Sequence, residues 1–302
     1  MYLRYFTIGL FVSSSVVVHL RGRVRHAFFR KQLIDHSALF APYNILVYLF
    51  SAVPVRPFLE RDRFPQLAPL REHWRSIRDE ALQLLDQGYV RTGVHHEDGG
   101  FNTFFKRGWK RFHLKWYGQP LNSARALCPR TVSILAGIPS VKAAMFALLS
   151  PGGKLNPHRD PFAGSLRYHL GLATPNSDAC RIVVDGYSYS WRDGEDVVFD
   201  ETYIHEAENS TDAMRIILFC DIERPLHTSV MRALNRTVAH IVGRATAVRN
   251  VRGEPLGVMN RLFFVAHCAG ELRRRIKRAN KTMYQTLKWV LALSVICLLI
   301  KW

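Results

Sequence analysis

Two apolar runs lie near the ends of the chain. Residues 5–20, YFTIGLFVSSSVVVHL, contain no Asp, Glu, Lys or Arg, and residues 289–300, WVLALSVICLLI, are apolar throughout. Each is shorter than the roughly 20 residues of a typical membrane-spanning helix, but flanking residues can complete either one. The first run lacks a basic leader beyond Arg4 and a small-residue cleavage site, which argues against a signal peptide. A third apolar stretch, ALFAPYNILVYLFSAVPV at 38–55, is interrupted by prolines. It reads as an interfacial or re-entrant segment, or as a piece packed on the globular part.

Between these runs the hydrophobic period changes twice. Leu70, Trp74, Ile77, Ala81 and Leu84 recur at helical spacing within 56–90, and 95–118 reads as a loop with strand pieces. From 143 short apolar segments follow one another: AAMFALLS, LRYHLGLAT, CRIVVDG, YSYSWRDG, DVVFDETYIHEAEN and MRIILFCDI. Pro-Gly-Gly, Asp-Gly and similar turns separate them, the pattern of a β-sandwich or barrel. After 226 two basic amphipathic helices are expected, VMRALNRTVAHIVGRATAV and PLGVMNRLFFVAHCAGELRRRIKRANK. The expected organisation is a membrane segment at 1–22, a basic, partly helical region at 23–140, a mainly β core at 141–226, amphipathic helices at 227–285 and a second membrane segment at 286–302.

Composition narrows the partners. The 302 residues are 48% hydrophobic and 12% aromatic, with a formal net charge of +18, which excludes a disordered chain and points to a polyanionic partner. Five cysteines (Cys128, Cys180, Cys220, Cys268, Cys297) include no CxxC pair, so neither a disulfide framework nor a zinc site is expected. The basic flanks RGRVRHAFFRK and ELRRRIKRANKT both lie on the central side of the apolar runs. Positive flanks stay cytoplasmic, so the central region should face the cytoplasm. Lys106, Arg107, Lys110 and Arg111 alternate with aromatics in FFKRGWKRFHLKWYG. They are candidates for lipid phosphate, and the two membrane runs argue against nucleic acid.

The candidate chemistry centres on NPHRDPF at 156–162, where His158 and Asp160 stand one residue apart after a strand and a glycine turn. His205, near the end of DVVFDETYIHEAEN, is read as part of a strand of the same sheet. Two imidazoles and one carboxylate on one face of a metal leave the other face open, as in non-haem Fe(II) oxygenases. Arg215 opens the next strand and can grip a carboxylate in a two-pronged manner; Arg167 and His169 alternate on LRYHLGL and share one face. Buried together, such groups require an anion and a metal to satisfy them. Asp200 and Glu201 are candidates for orienting His205.

The block 150–225 resembles the aspartyl/asparaginyl β-hydroxylase family through LRYHLGL, W-x-x-G-x-x-x-x-FD, HE and R-x-I-L-F-x-D-x-x-RP in order. The terminal apolar runs and RGRVRH at 21–26 make it similar to the membrane-bound bacterial branch, the lipid A 2-hydroxylases. The resemblance implies a double-stranded β-helix (jelly roll) with flanking helices and terminal transmembrane segments. It implies an Fe(II)- and 2-oxoglutarate-dependent dioxygenase at the bacterial inner membrane, using O2 and acting on lipid A or a related phosphorylated lipid, with no obligate protein partner. It implies His158, Asp160 and His205 as metal ligands and Arg215 on the distal carboxylate of 2-oxoglutarate. It places Arg167 and His169 on the oxo-acid end or the substrate. The serine that helps hold the co-substrate in the peptide hydroxylases corresponds to Ala147, with Ser150 as a possible substitute. Hydroxylation of ornithine lipid or of a peptide stays open, as does a non-catalytic membrane-bound anion sensor.

Overall fold

The computed structural model describes residues 2–92, 98–99, 102–286 and 288. The apolar run at 289–300, expected as a second membrane segment, lies outside them. Four helices come first: α1 (Tyr2–Leu20), α2 (Phe29–Ile34), α3 (His36–Leu39) and α4 (Ala41–Leu49). Then follow β1 (Phe58–Leu59), α5 (Ala68–Glu72), α6 (Trp74–Asp86), α7 (Asn102–Phe105), β2 (Trp109–Trp116), α8 (Asn122–Leu127) and α9 (Pro129–Ala136). The strand-rich part is β3 (Val141–Leu149), β4 (Lys154–His158), β5 (Ser165–Ala173), β6 (Cys180–Val184), β7 (Tyr187–Ser190), β8 (Asp196–Phe199), β9 (His205–Asn209) and β10 (Arg215–Glu223). Helices α10 (Ser229–Ala245) and α11 (Val258–Ala279) close the described chain.

The strands form two antiparallel sheets, in the orders β1-β8-β5-β10-β3-β2 and β4-β9-β6-β7. Period-two alternation explains why they stack. On β10 the residues Ile216, Leu218, Cys220 and Ile222 face an outer core shared with the helices, while Ile217 and Phe219 face inward. On β3 Phe146 and Leu148 point out, whereas Met145, Ala147 and Leu149 point in and meet Leu155, Ile182 and Val184 of the opposite sheet. Burying side chains of this size stabilises by roughly 1.5–3 kcal/mol each. The result is a double-stranded β-helix whose inner faces enclose the site.

Three local expectations are revised. DVVFDETYIHEAEN is not one strand but two, β8 and β9, which belong to different sheets. The crossing is made by a turn in which Asp200 Oδ1 accepts from the Thr202 amide at 3.0 Å and the Asp200 carbonyl from the Tyr203 amide at 3.2 Å. The six-stranded sheet also recruits β1 and β2, which lie before residue 141. In 38–55 a proline starts a helix instead of breaking one, since Pro42 occupies the first turn of α4. That helix packs on α1 and sends Val47 into a small core with Ala163, Leu226 and Met231.

The helix expected around Leu70–Leu84 is present as α5 and α6, with Leu70, Ile77, Ala81 and Leu84 buried against the outer sheet face. Glu80 of α6 accepts from the Arg130 and Thr131 amides at 3.0 and 2.8 Å. A carboxylate thereby caps the positive start of α9. Helix α1 is long and apolar enough to cross a membrane, with a mean hydropathy of 1.4, and only 17% of it is buried. Gly22 turns the chain after it with φ +87°, where a Cβ would fall 2.6 Å from Asp185 Oδ1.

A buried polar knot pins β2. Arg111 donates to Asp98 Oδ2 at 2.7 Å, with the wholly buried His113 imidazole 3.6 Å from the same oxygen. Burial, then the Arg111 guanidinium, pulls the His113 pKa from 6.5 to about 4, against the pull of Asp98. The unfolded chain therefore takes up a proton at a higher pH than the folded one. The stability this group contributes is present above pH 6.5 and is lost as pH falls towards about 4. The loss should be on the order of 3 kcal/mol. Urea unfolding followed from about pH 7.5 to about pH 4.5 should show it, and His113→Gln should flatten the dependence. Parallel loss in both proteins would refute the assignment.

Candidate metal centre and pocket

The centre is built by strand pairing. His158 at the end of β4 stands directly opposite His205 at the start of β9, and their ring centroids are 4.3 Å apart. Asp160 lies two residues beyond the end of β4, and its amide donates to the Glu201 carbonyl at 2.9 Å. Ligand atoms of His158, Asp160 and His205 all lie within 4.8 Å of one another. Among the described residues this is the one cluster of three or more His, Cys, Asp or Glu side chains able to hold a metal.

Each imidazole is oriented by a backbone carbonyl two residues earlier. His158 Nδ1 lies 2.7 Å from the Asn156 carbonyl and His205 Nδ1 3.0 Å from that of Tyr203. A carbonyl only accepts, so each Nδ1 carries the hydrogen and each Nε2 keeps its lone pair for a metal. Burial, then the neighbouring His158, lowers the His205 pKa to about 3, which keeps it neutral. Burial raises Asp160, but Arg167, His205 and His158 outweigh it and hold the carboxyl below its ordinary range. Two imidazoles presenting Nε2 and an ionised carboxylate are the donor set that a divalent iron requires. Asp200 and Glu201 do not orient His205 as expected, because the Tyr203 carbonyl already occupies its Nδ1. Asp200 pairs instead with Arg21 and Arg224, and Glu201 with Ser165 and Arg167.

The pocket behind the triad holds two arginines in opposite situations. Arg167 on β5 is paired with carboxyl groups. It reaches Asp160 Oδ2 at 2.8 Å, Asp221 Oδ1 at 2.9 Å and Glu201 as well, with its guanidinium 3.8 Å from the centre of the Phe219 ring. Burial raises Glu201 well above its ordinary range, more than Arg167 lowers it, and Asp221 and Asp160 add to the rise. Arg215 on β10 is the contrary case. It is 2% exposed, lies 4.3 Å over the Trp191 ring, and its Nε has no hydrogen-bond partner. Burial lowers its pKa to about 10, with only the Cys180 thiol opposing. His169 shares the pocket, and neither of its ring nitrogens has a hydrogen-bond partner. Burial, then Arg167, Arg215 and His205, lowers it well below 6.5, so it is neutral. The Trp191 Nε1 is likewise without a hydrogen-bond partner. Unpaired donors around a buried guanidinium fit a carboxylate ligand.

The remaining sequence candidates fall outside this pocket. Arg111 is buried in its pairing with Asp98, which removes it from the set offered to lipid phosphate, while Lys106 and Arg107 are exposed. Ala147 packs between the sheets, and Ser150 lines a different hollow with Lys110. Phe104, whose ring centroid lies 4.9 Å from that of His158, went unnoticed in the sequence, while Trp191 and Asp221 figure there only as members of the family motifs, without a role. Asp221 had a signal, since it continues the inward alternation Arg215, Ile217, Phe219 along β10.

Comparison with known proteins places this geometry. The family described as aspartyl/asparaginyl beta-hydroxylase matches residues 71–225. An ornithine lipid ester-linked acyl 2-hydroxylase of Rhizobium tropici is 34% identical over 172 residues, covering 56% of this chain and 61% of that one. The human aspartyl/asparaginyl beta-hydroxylase is 27% identical over 168 residues, covering 54% of this chain and 22% of that one. The matched region thus spans less than two thirds of these relatives. A solved Pseudomonas putida prolyl-4-hydroxylase covers 51% of this chain and 87% of that one at 18% identity, with a TM-score of 0.34, too low to bear on function. With its strands, its His-Asp-His cluster and more than half its length matched, the chain belongs to the aspartyl/asparaginyl beta-hydroxylase family.

Proposed function

We propose that this protein is an Fe(II)- and 2-oxoglutarate-dependent dioxygenase that hydroxylates an acyl chain of a membrane lipid at the carbon next to its carbonyl. The observation that carries the reading is one pocket holding both a two-imidazole, one-carboxylate cluster and a buried arginine free to take an anion. His158, Asp160 and His205 hold the iron. When bound, iron with 2-oxoglutarate and O2 supplies the oxidising power that no side chain has. Arg215 binds the distal carboxylate of 2-oxoglutarate, with His169 and Trp191 as further donors beside it. Arg167 holds Asp160 by one oxygen, leaving the other for the metal. Phe104 and Trp109 form an apolar wall beside His158 that suits a hydrocarbon chain and excludes water.

The apolar α1 and the basic flanks support action at the cytoplasmic face of a bacterial inner membrane. Two head groups share this chemistry. The +18 charge favours the phosphorylated lipid A, and the similarity to an ornithine lipid hydroxylase favours an amino-lipid. Lipid mass spectrometry of cells with and without the gene separates them: one added oxygen on lipid A, or on ornithine lipid. No lipid change would count against both.

Replacing His158 or Asp160 with Ala should abolish stoichiometric Fe(II) or Co(II) binding in anaerobic calorimetry and lower product formation by about 100-fold or more. Unchanged function in either variant would favour an anion sensor. Arg215→Met should leave metal binding intact and weaken 2-oxoglutarate binding about 10- to 100-fold, the worth of charged hydrogen bonds of about 1.5–3 kcal/mol; unaltered affinity would remove Arg215 from the site. Arg167→Met leaves buried carboxylates facing one another. It should destabilise the fold by about 3–5 kcal/mol in urea unfolding, and a loss below about 1 kcal/mol would show that the cluster is not held by this residue.

A further inference from the structure

The loop carrying two of the three converging side chains rests on the N-terminal helices. Arg159, between His158 and Asp160, is buried and donates from Nη1 to the Val18 carbonyl of α1 at 2.8 Å. Asn44 of α4 grips the same loop from both sides of Phe162. It donates to the Pro161 carbonyl at 2.8 Å and accepts from the Ala163 amide at 3.0 Å. Tyr43 lies flat on Phe162, with ring centroids 5.5 Å apart. Just beyond α1, Arg21 donates to Asp200 at 2.5 Å, and its guanidinium sits between the Tyr48 and Tyr203 rings at 4.1 and 3.8 Å. Helices α1 and α4 are therefore tied to this loop by hydrogen bonds and ring packing.

Length then sets a constraint. Helix α1 has 19 residues, about 28 Å at the helical rise, barely the ~30 Å of a hydrocarbon core. Its buried residues are Ser14, Ser15 and Val18, in the last two turns, and α4 packs on this helix. If α1 crosses, those last turns lie inside the hydrocarbon and carry α4 in with them. The outward surface of α2–α4 suits such a place. Phe28, Ile34, Leu39 and Leu49 are 76%, 77%, 75% and 71% exposed, more large apolar surface than an aqueous face tolerates. Exposed Arg23, Arg25, Arg30 and Lys31 accompany them, the charge that an anionic leaflet attracts.

We propose that α1–α4 form one half-immersed platform docked in an anionic bilayer, which seats the metal-binding loop at the boundary between head groups and hydrocarbon. Its consequence for substrate rests on the lipid-hydroxylase reading above. The acyl carbon beside the carbonyl lies at that boundary, so the lipid reaches the pocket without leaving the leaflet. The domain does not hang from a single span by a tether.

The test uses the full chain in nanodiscs containing about one third anionic lipid, with accessible native cysteines replaced. Spin labels are placed through Phe6→Cys, Leu39→Cys, Leu49→Cys and Met214→Cys, the last on an exposed residue of the β domain. The probes are dissolved oxygen, which favours lipid, and a water-soluble nickel chelate. The platform requires positions 39 and 49 to match position 6, with oxygen relaxation dominant, while 214 is dominated by nickel. Positions 39 and 49 reading like 214, with 6 in lipid, would mean a lone span and overturn the proposal. In a second arm Leu39→Asp with Leu49→Asp should lower hydroxylation of bilayer lipid at least tenfold while Co(II) affinity stays unchanged. Full activity in that variant would also overturn it. The label pattern is independent of catalysis, so failure of the enzymatic reading leaves it readable.

Discussion

The antiparallel pairing of β4 with β9 is the constraint on which the site depends. It sets His158 opposite His205, and the backbone around it supplies what a metal site requires. Carbonyls two residues back fix both tautomers, and the Asp160 amide is tied to the Glu201 carbonyl at the turn between the sheets. Because side chains alternate along a strand, a one-residue slip would turn His205 out of the sandwich and leave no site. The placing of the two histidines is thus held by main-chain hydrogen bonds, which are stiff.

Charge within the sandwich is divided by role. Arg167 faces three carboxyl groups through its Nε and Nη2, which holds Asp160 and makes a buried acidic cluster tolerable. Arg215, on β10 in the same pocket, has no carboxylate among the described ion pairs and stacks on Trp191. A buried guanidinium costs several kcal/mol to desolvate without a partner. The contrast separates an arginine paired with carboxyl groups from one left without such a partner. Arg167 lines the same pocket as Arg215, and its ion-pair partners are Asp160, Glu201 and Asp221.

The same economy appears on the outer side of the metal-binding loop. Asp200 does not serve the histidines but gathers Arg21 and Arg224, joining the segment after α1 to the end of β10. Arg159 and Asn44 hold the loop to α1 and α4. Each of these polar groups is far from its partner in sequence, and each links the N-terminal helices to the pocket. The N-terminal helices and the His-Asp-His cluster are in this way parts of one packed unit.

Much of this was legible in the sequence. The switch to a period of two after 143 marks the strands of the sandwich, since alternation is a local property of a sheet with one dry face. His158 and Asp160 stand out as polar groups beside glycine and proline turns, and His205 and Arg215 as polar groups at the edges of strand segments. The apolar α1 and its basic flank are equally local signals. What only the tertiary structure decided are the pairings across long separations. It split DVVFDETYIHEAEN between two sheets, recruited β1 and β2, gave Arg167 to Asp221 and Glu201, and sent Asp200 to Arg21 and Arg224. The physical reason is that sequence period fixes which face a side chain takes, while the identity of its partner depends on which strand or helix the chain brings against that face.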